Sequence, residues 1–83
     1  MKFINIGFGN MLAVDRIVLM AGPESAPIKR MVSEAKESGR VIDVSCGKPT
    51  KAVIITDSEH VVLSALPPET ITNRIGGEND PEE

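Results

Sequence analysis

The chain has 83 residues, 41% of them hydrophobic but only 2% aromatic, and carries a formal net charge of −3 at pH 7. This length gives one domain with a modest core, and the hydrophobic share is too high for a disordered chain. With two Phe and no Trp or Tyr, the core is aliphatic, and a stacking platform for single-stranded nucleic acid is not expected.

Cys46 and His60 are single residues of their kinds, so there is no intrachain disulfide and no zinc site without carboxylates or a second chain. No cofactor is expected. The start, Met1-Lys2-Phe3-Ile4-Asn5-Ile6-Gly7, is too short for the apolar part of a signal peptide. No apolar run reaches membrane-spanning length, so the expectation is a cytoplasmic protein without membrane contact. The charge is unevenly placed. Glu78, Asp80, Glu82 and Glu83 fall in the last six residues, and setting them aside leaves 8 acids against 9 bases, a balance of +1 for residues 1–77. Residues 1–77 are read as the single folded domain and 78–83 as an acidic, unstructured tail able to compete with an anionic partner.

Taken along the chain, Lys2 to Ile6 reads as a strand ending at the turn signal Gly7-Phe8-Gly9-Asn10. Met11 to Val14 and Ile17 to Met20 read as two short strands, or as one strand bulged at Asp15-Arg16. The convincing helix begins at Ser25, whose hydroxyl can cap free N–H groups, with Pro27 tolerated in the first turn. Ile28, Met31, Val32 and Ala35 form one apolar stripe for packing on a sheet. Lys29, Ser33, Lys36 and Arg40 run down a neighbouring, exposed face, and Gly39 marks the stop. Val41 to Val44 is a short strand. Lys51 to Thr56 and His60 to Leu66 form a hairpin around Asp57-Ser58-Glu59. Pro67-Pro68 then opens a short helix through Ile75. The fold class expected is α+β: antiparallel strands, one main helix and a short C-terminal helix.

The segment Gly47-Lys48-Pro49-Thr50-Lys51 is the most suggestive. It is a basic turn leading into the buried strand Ala52-Val53-Ile54-Ile55, a rigid mount that would hold cations at set positions for a polyanion. Its plainer reading is a solvated hairpin end. Arg16 lies between apolar segments, where it either pairs with Asp43 or Asp57 or meets a phosphate or a partner. Catalysis is not expected. Cys46 reads as a small buried hydrophobe and His60 as part of a solvated hairpin end, while Gly7-Phe8-Gly9 lacks the spacing of a phosphate-binding loop.

In order, Lys2-Phe3-Ile4-Asn5-Ile6-Gly7-Phe8-Gly9-Asn10, Arg16-Ile17 and Ser25-Ala26-Pro27-Ile28-Lys29-Arg30 resemble the extracellular matrix regulatory proteins of the RemA type. The resemblance continues through Ala52-Val53-Ile54-Ile55, Asp57-Ser58, His60-Val61, Leu63-Ser64 and Pro68-Glu69-Thr70, and covers nearly the whole chain up to Arg74. It implies a DNA-binding transcriptional activator of matrix or biofilm genes, assembled as a ring-shaped homo-oligomer with basic residues outside. On that resemblance, Arg16, Lys48 and Lys51 would contact double-stranded DNA, and Pro27 would lie in a subunit-packing segment. No small-molecule substrate is implied. Pro49 departs from the family's Gly-Arg-Arg-Thr-Arg pattern, and both flanking arginines are lysines here. The lysines keep their charges but lose the bidentate fork, and Pro49 removes one charge and one backbone N–H donor. The alternative is a ring-forming scaffold whose lysines meet acidic protein surfaces without DNA.

Overall fold

The computed structural model describes residues 2–76, so the acidic segment 78–83 lies outside the described residues. Six strands and two helices follow one another as β1 (Phe3–Asn5), β2 (Met11–Ala13), β3 (Ile17–Ala21), α1 (Ala26–Glu37), β4 (Val41–Asp43), β5 (Ala52–Thr56), β6 (Val61–Ser64) and α2 (Pro68–Gly76). The α+β class is confirmed.

β1 and β2 form an antiparallel hairpin, with Phe3 opposite Ala13 and Asn5 opposite Met11. Its turn is closed by the Asn10 N–H donating to the Gly7 carbonyl at 3.0 Å. Phe8 and Gly9 there both take left-handed backbone, φ 54° and 79°, the combination whose twist matches that of the flanking strands. A 3-10 turn, Val14–Arg16, separates β2 from β3, and the two strands belong to different sheets. Of the two readings for this stretch, separate strands is the correct one.

The larger sheet has the order β3-β5-β6-β4. β5 runs antiparallel to both β3 and β6, whereas β4 runs parallel to β6, a departure from the all-antiparallel expectation. The cause is α1. It carries the chain from the end of β3 back along the sheet, so β4 starts where β3 started and must point the same way. The β5–β6 hairpin then fills the space between these two edge strands.

α1 starts as its residues dictate. Ser25, in extended backbone, accepts the Ile28 N–H at 3.3 Å, and Pro27 stands in the first turn. Past the last turn Gly39 adopts φ 73°, where a residue with a Cβ is disfavoured. Alternation along the central strands then divides the core between two faces. Val53, Val61 and Leu63 pack with Ile28 and Ala35 of α1. Ala52, Ile54 and Val62 pack on the other face with Ile4 and Ile6 from the hairpin and Ile71 of α2. Ile71 is wholly buried, and a side chain of that size contributes about 1.5–3 kcal/mol by leaving water. One buried hydroxyl joins the layers: Ser64 Oγ donates to the Ile6 carbonyl at 2.8 Å and accepts the Leu66 N–H at 3.1 Å.

Candidate nucleic-acid interface

The basic turn spans the gap between the end of β4 and the start of β5. Because β6 lies between those strands, the turn must cross the C-terminal end of β6. Both of its feet are pinned there. The Val44 N–H donates to the Leu63 carbonyl at 2.9 Å and the Lys51 N–H to the Ser64 carbonyl at 2.8 Å. Within it, the Lys48 N–H donates to the Ser45 carbonyl at 3.0 Å. The two residues enclosed, Cys46 and Gly47, are left-handed at φ 55° and 81°, the pattern of a type I′ turn. Lys48 and Lys51 are thus exposed on a short, backbone-braced loop.

Cys46 is exposed at this turn, which corrects the buried reading. A residue at the tip of a tight turn points outward, and the adjacent core is already filled by β5 and β6. Ser45 is the residue that turns inward, and it is buried. Its hydroxyl and its N–H both donate to Asp43 Oδ1, at 2.6 and 2.9 Å. These two bonds, the hydroxyl's first, hold the Asp43 carboxyl below the ordinary carboxylate range, and nearby Lys36 adds a smaller pull in the same direction.

Arg16 closes the 3-10 turn at the far end of the sheet. Its Nε donates to Asp57 Oδ1 at 2.8 Å, and its carbonyl accepts the Asp57 N–H at 2.9 Å. Of the partners considered from sequence, Asp57 is therefore the one it meets and Asp43 is not. Both side chains are about half exposed, so the pair contributes no more than about 1 kcal/mol and can be exchanged for another anion. Lys51 and Asp57 flank the five residues of β5, which at about 3.3 Å per residue sets them roughly 20 Å apart. Arg16 and the lysine turn are therefore not one cluster within a subunit but two points at opposite ends of it.

Pro27 is exposed in the first turn of α1. Arg40 does not continue the basic face of that helix. It lies beyond the helix end, with Nε donating to Ser38 Oγ at 2.7 Å and Nη1 to the Glu59 carbonyl at 2.7 Å. His60 is half-buried, its Nδ1 2.8 Å from Ser58 Oγ within the hairpin loop. No group of three metal-ligating side chains occurs among the described residues. No helix among them is long and apolar enough to cross a membrane.

Comparison with known proteins agrees with the residues quoted from the sequence. The RemA-like family, described as extracellular matrix regulatory protein A-like, matches residues 3–75. A "putative regulatory protein" of Geobacillus thermodenitrificans is 54% identical over 80 residues, covering 96% of this chain and 92% of the relative. One of the same description from Carboxydothermus hydrogenoformans is 54% identical over 82 residues, 99% of this chain and 94% of the relative. Another, from Synechococcus elongatus, is 60% identical over 72 residues, 87% and 83% of the two chains. The chain belongs to the RemA-like family.

Proposed function

We propose that this protein is a DNA-binding transcriptional regulator of the matrix-activator type, acting as a closed ring of identical subunits that holds the backbone of duplex DNA. The observation that carries the reading is the loop of Lys48 and Lys51, braced at both feet by carbonyls of β6. Cations on such a loop lose little freedom when they meet phosphates. The regulatory names of the relatives point the same way. One subunit with a nearly neutral fold is a weak binder, and a ring repeats the same contact many times. Support for assembly comes from apolar side chains left outside. Val18 and Leu19 are exposed on β3 and Ile42 on β4, the two edge strands, and Phe3, Phe8 and Met11 lie on the hairpin. Arg16 and Pro27 take the roles of a second DNA contact and of a subunit-packing residue in this reading.

The test is duplex binding over a salt series, wild type against Lys48→Ala/Lys51→Ala. Wild-type affinity is expected to fall linearly in log K against log salt. The slope should lessen in the variant by about 0.9 for each phosphate left without its lysine. Absence of binding by the wild type at low salt would overturn the reading. It would favour the scaffold alternative, which draws its support from Pro49 standing between the two basic positions.

A further inference from the structure

Most of the arginines and lysines outside the turn have work inside the fold. Lys2 Nζ donates to the Ile75 carbonyl, Arg16 pairs with Asp57, Arg40 holds the Glu59 carbonyl, and Arg74 Nη1 donates to the Asn5 carbonyl. The cationic side chains that make no direct hydrogen bond or ion pair among the described residues are those of Lys48 and Lys51 of the turn, and of Lys29, Arg30 and Lys36 of α1. Two of these three helical residues stand beside the turn. A shallow cleft of about 190 Å³ runs between α1 and the start of β5, with Lys29, Lys36 and Thr50 at its rim and Val32, Val53 and Leu63 beneath.

We infer that Lys29 and Lys36 form a second row of phosphate contacts, so that duplex DNA is held across the cleft between α1 and the turn and not by the turn alone. The inference rests on the DNA-binding reading above. Seven residues apart, the two lysines share one side of the helix and are separated by about 10 Å along its axis. That is close to three base-pair steps at about 3.4 Å each. Strand alternation, continued one residue ahead of β5, sends Lys51 to the same side of the sheet as Val53, the side that α1 covers. Three of the lysines therefore converge on one face.

The opposite flank of α1 shows that this is not a general property of the helix surface. Its cleft is lined by Met31, Glu34, Arg40, Ile55, Glu59 and Val61, where two acids outnumber the single arginine. The lysine-flank cleft has no acid in its lining, and Asp43, which Lys36 feels electrostatically, already accepts two hydrogen bonds from Ser45. The floor between the lysines, Val32, Val53 and Leu63, is apolar and offers no ring of donors to enclose one small anion. A ligand that lies across the rim, such as a sugar–phosphate backbone, fits this distribution of charge.

The experiment compares Lys29→Gln/Lys36→Gln with Lys48→Gln/Lys51→Gln in the full-length protein, using duplex DNA over a salt series. Each pair is expected to weaken low-salt binding at least tenfold and to reduce the salt slope by about 0.9 for each phosphate no longer neutralised. Lys29→Arg/Lys36→Arg, which keeps the charge, is expected to bind as the wild type does, and Glu34→Gln on the other flank to leave the slope unchanged. If the helix pair changes nothing while the turn pair weakens binding, the second row is overturned and the DNA-binding reading stands. If the arginine pair also loses binding, the lysines act through packing and the inference fails. A wild type that does not bind at low salt removes the reading on which both rows depend.

Discussion

Ser45 decides more about the basic turn than either of its lysines. Buried beneath the loop, it gives both of its donors to one oxygen of Asp43. A carboxylate that accepts two hydrogen bonds keeps its charge to lower pH than a free one. Because the folded value is depressed, the stabilisation is present above the ordinary carboxylate pKa of about 3.9 and is lost as pH falls through the folded value. Ser45→Ala removes the larger of the two bonds, so the Asp43 carboxyl is expected to titrate nearer its ordinary value. An NMR pH titration of that side chain reads the change directly, and an unaltered titration would show that the hydroxyl is not what holds the proton off. Arg16 makes a different point. It meets a carboxylate within the subunit, yet a half-exposed pair of this kind is weak enough to yield to a phosphate. Its involvement with Asp57 and a role at DNA are therefore compatible.

The turns of this fold are built on left-handed residues, and each one positions something. Phe8-Gly9 closes the β1–β2 hairpin, Cys46-Gly47 shapes the basic turn, and Glu59 helps to close the loop between β5 and β6. Gly47, at φ 81°, has nothing within 4 Å of the place a Cβ would occupy. Substitution there is a pure test of backbone conformation, free of packing. Gly47→Ala is expected to cost about 1–2 kcal/mol, the penalty of left-handed backbone for a residue with a Cβ, read by chemical denaturation at a fixed protein concentration. No loss of stability would mean that the turn adopts another shape without difficulty, and the brace on Lys48 would lose its significance. α1 contributes through its route as much as through its faces. By returning along the sheet before β4 begins, it places the basic turn over the end of β6 and its own lysine flank beside that turn.

Taken whole, the subunit has a helix on one face of a four-stranded sheet and a hairpin with a short helix on the other, leaving β3 and β4 as opposite edges. Unpaired edges that also carry exposed aliphatic side chains are surfaces a neighbour can cover. Val18, the most exposed of them at 65%, sits where the β3–β5 register shifts between Ile17 and Leu19. Val18→Lys removes nothing from either core, so subunit stability should change by no more than about 0.5 kcal/mol. On the proposed assembly through β3, the same change is expected to lower the mass in solution, measured by light scattering across a concentration series, and with it DNA affinity. A mass identical to that of the wild type would take β3 out of the interface. The separation of roughly 20 Å between the Arg16 end and the lysine turn, set by the length of β5, gains meaning only in such an assembly. On the proposed ring, two separated contacts per subunit would meet the duplex at two points in each repeat, where a single cluster would meet it at one.

What could be read from the residues was whatever is encoded over a few neighbours. The cap at Ser25, the stripe from Ile28 to Ala35, the stop at Gly39 and the hairpin from Lys51 to Leu66 all follow from local backbone chemistry and periodicity, and all are present. The quoted family motifs carried the family itself, because those short segments are specific and span nearly the whole chain. Other features needed the tertiary structure. The parallel pairing of β4 with β6, the distance between Arg16 and Lys51, the outward Cys46 and the diversion of Arg40 to the Glu59 carbonyl each depend on how distant parts of the chain meet. So does the approach of Lys29 and Lys36 to the turn. Local pattern says that a residue is charged and exposed; only the route of α1 across the sheet decides which charges are spent inside the fold and which remain together at its surface.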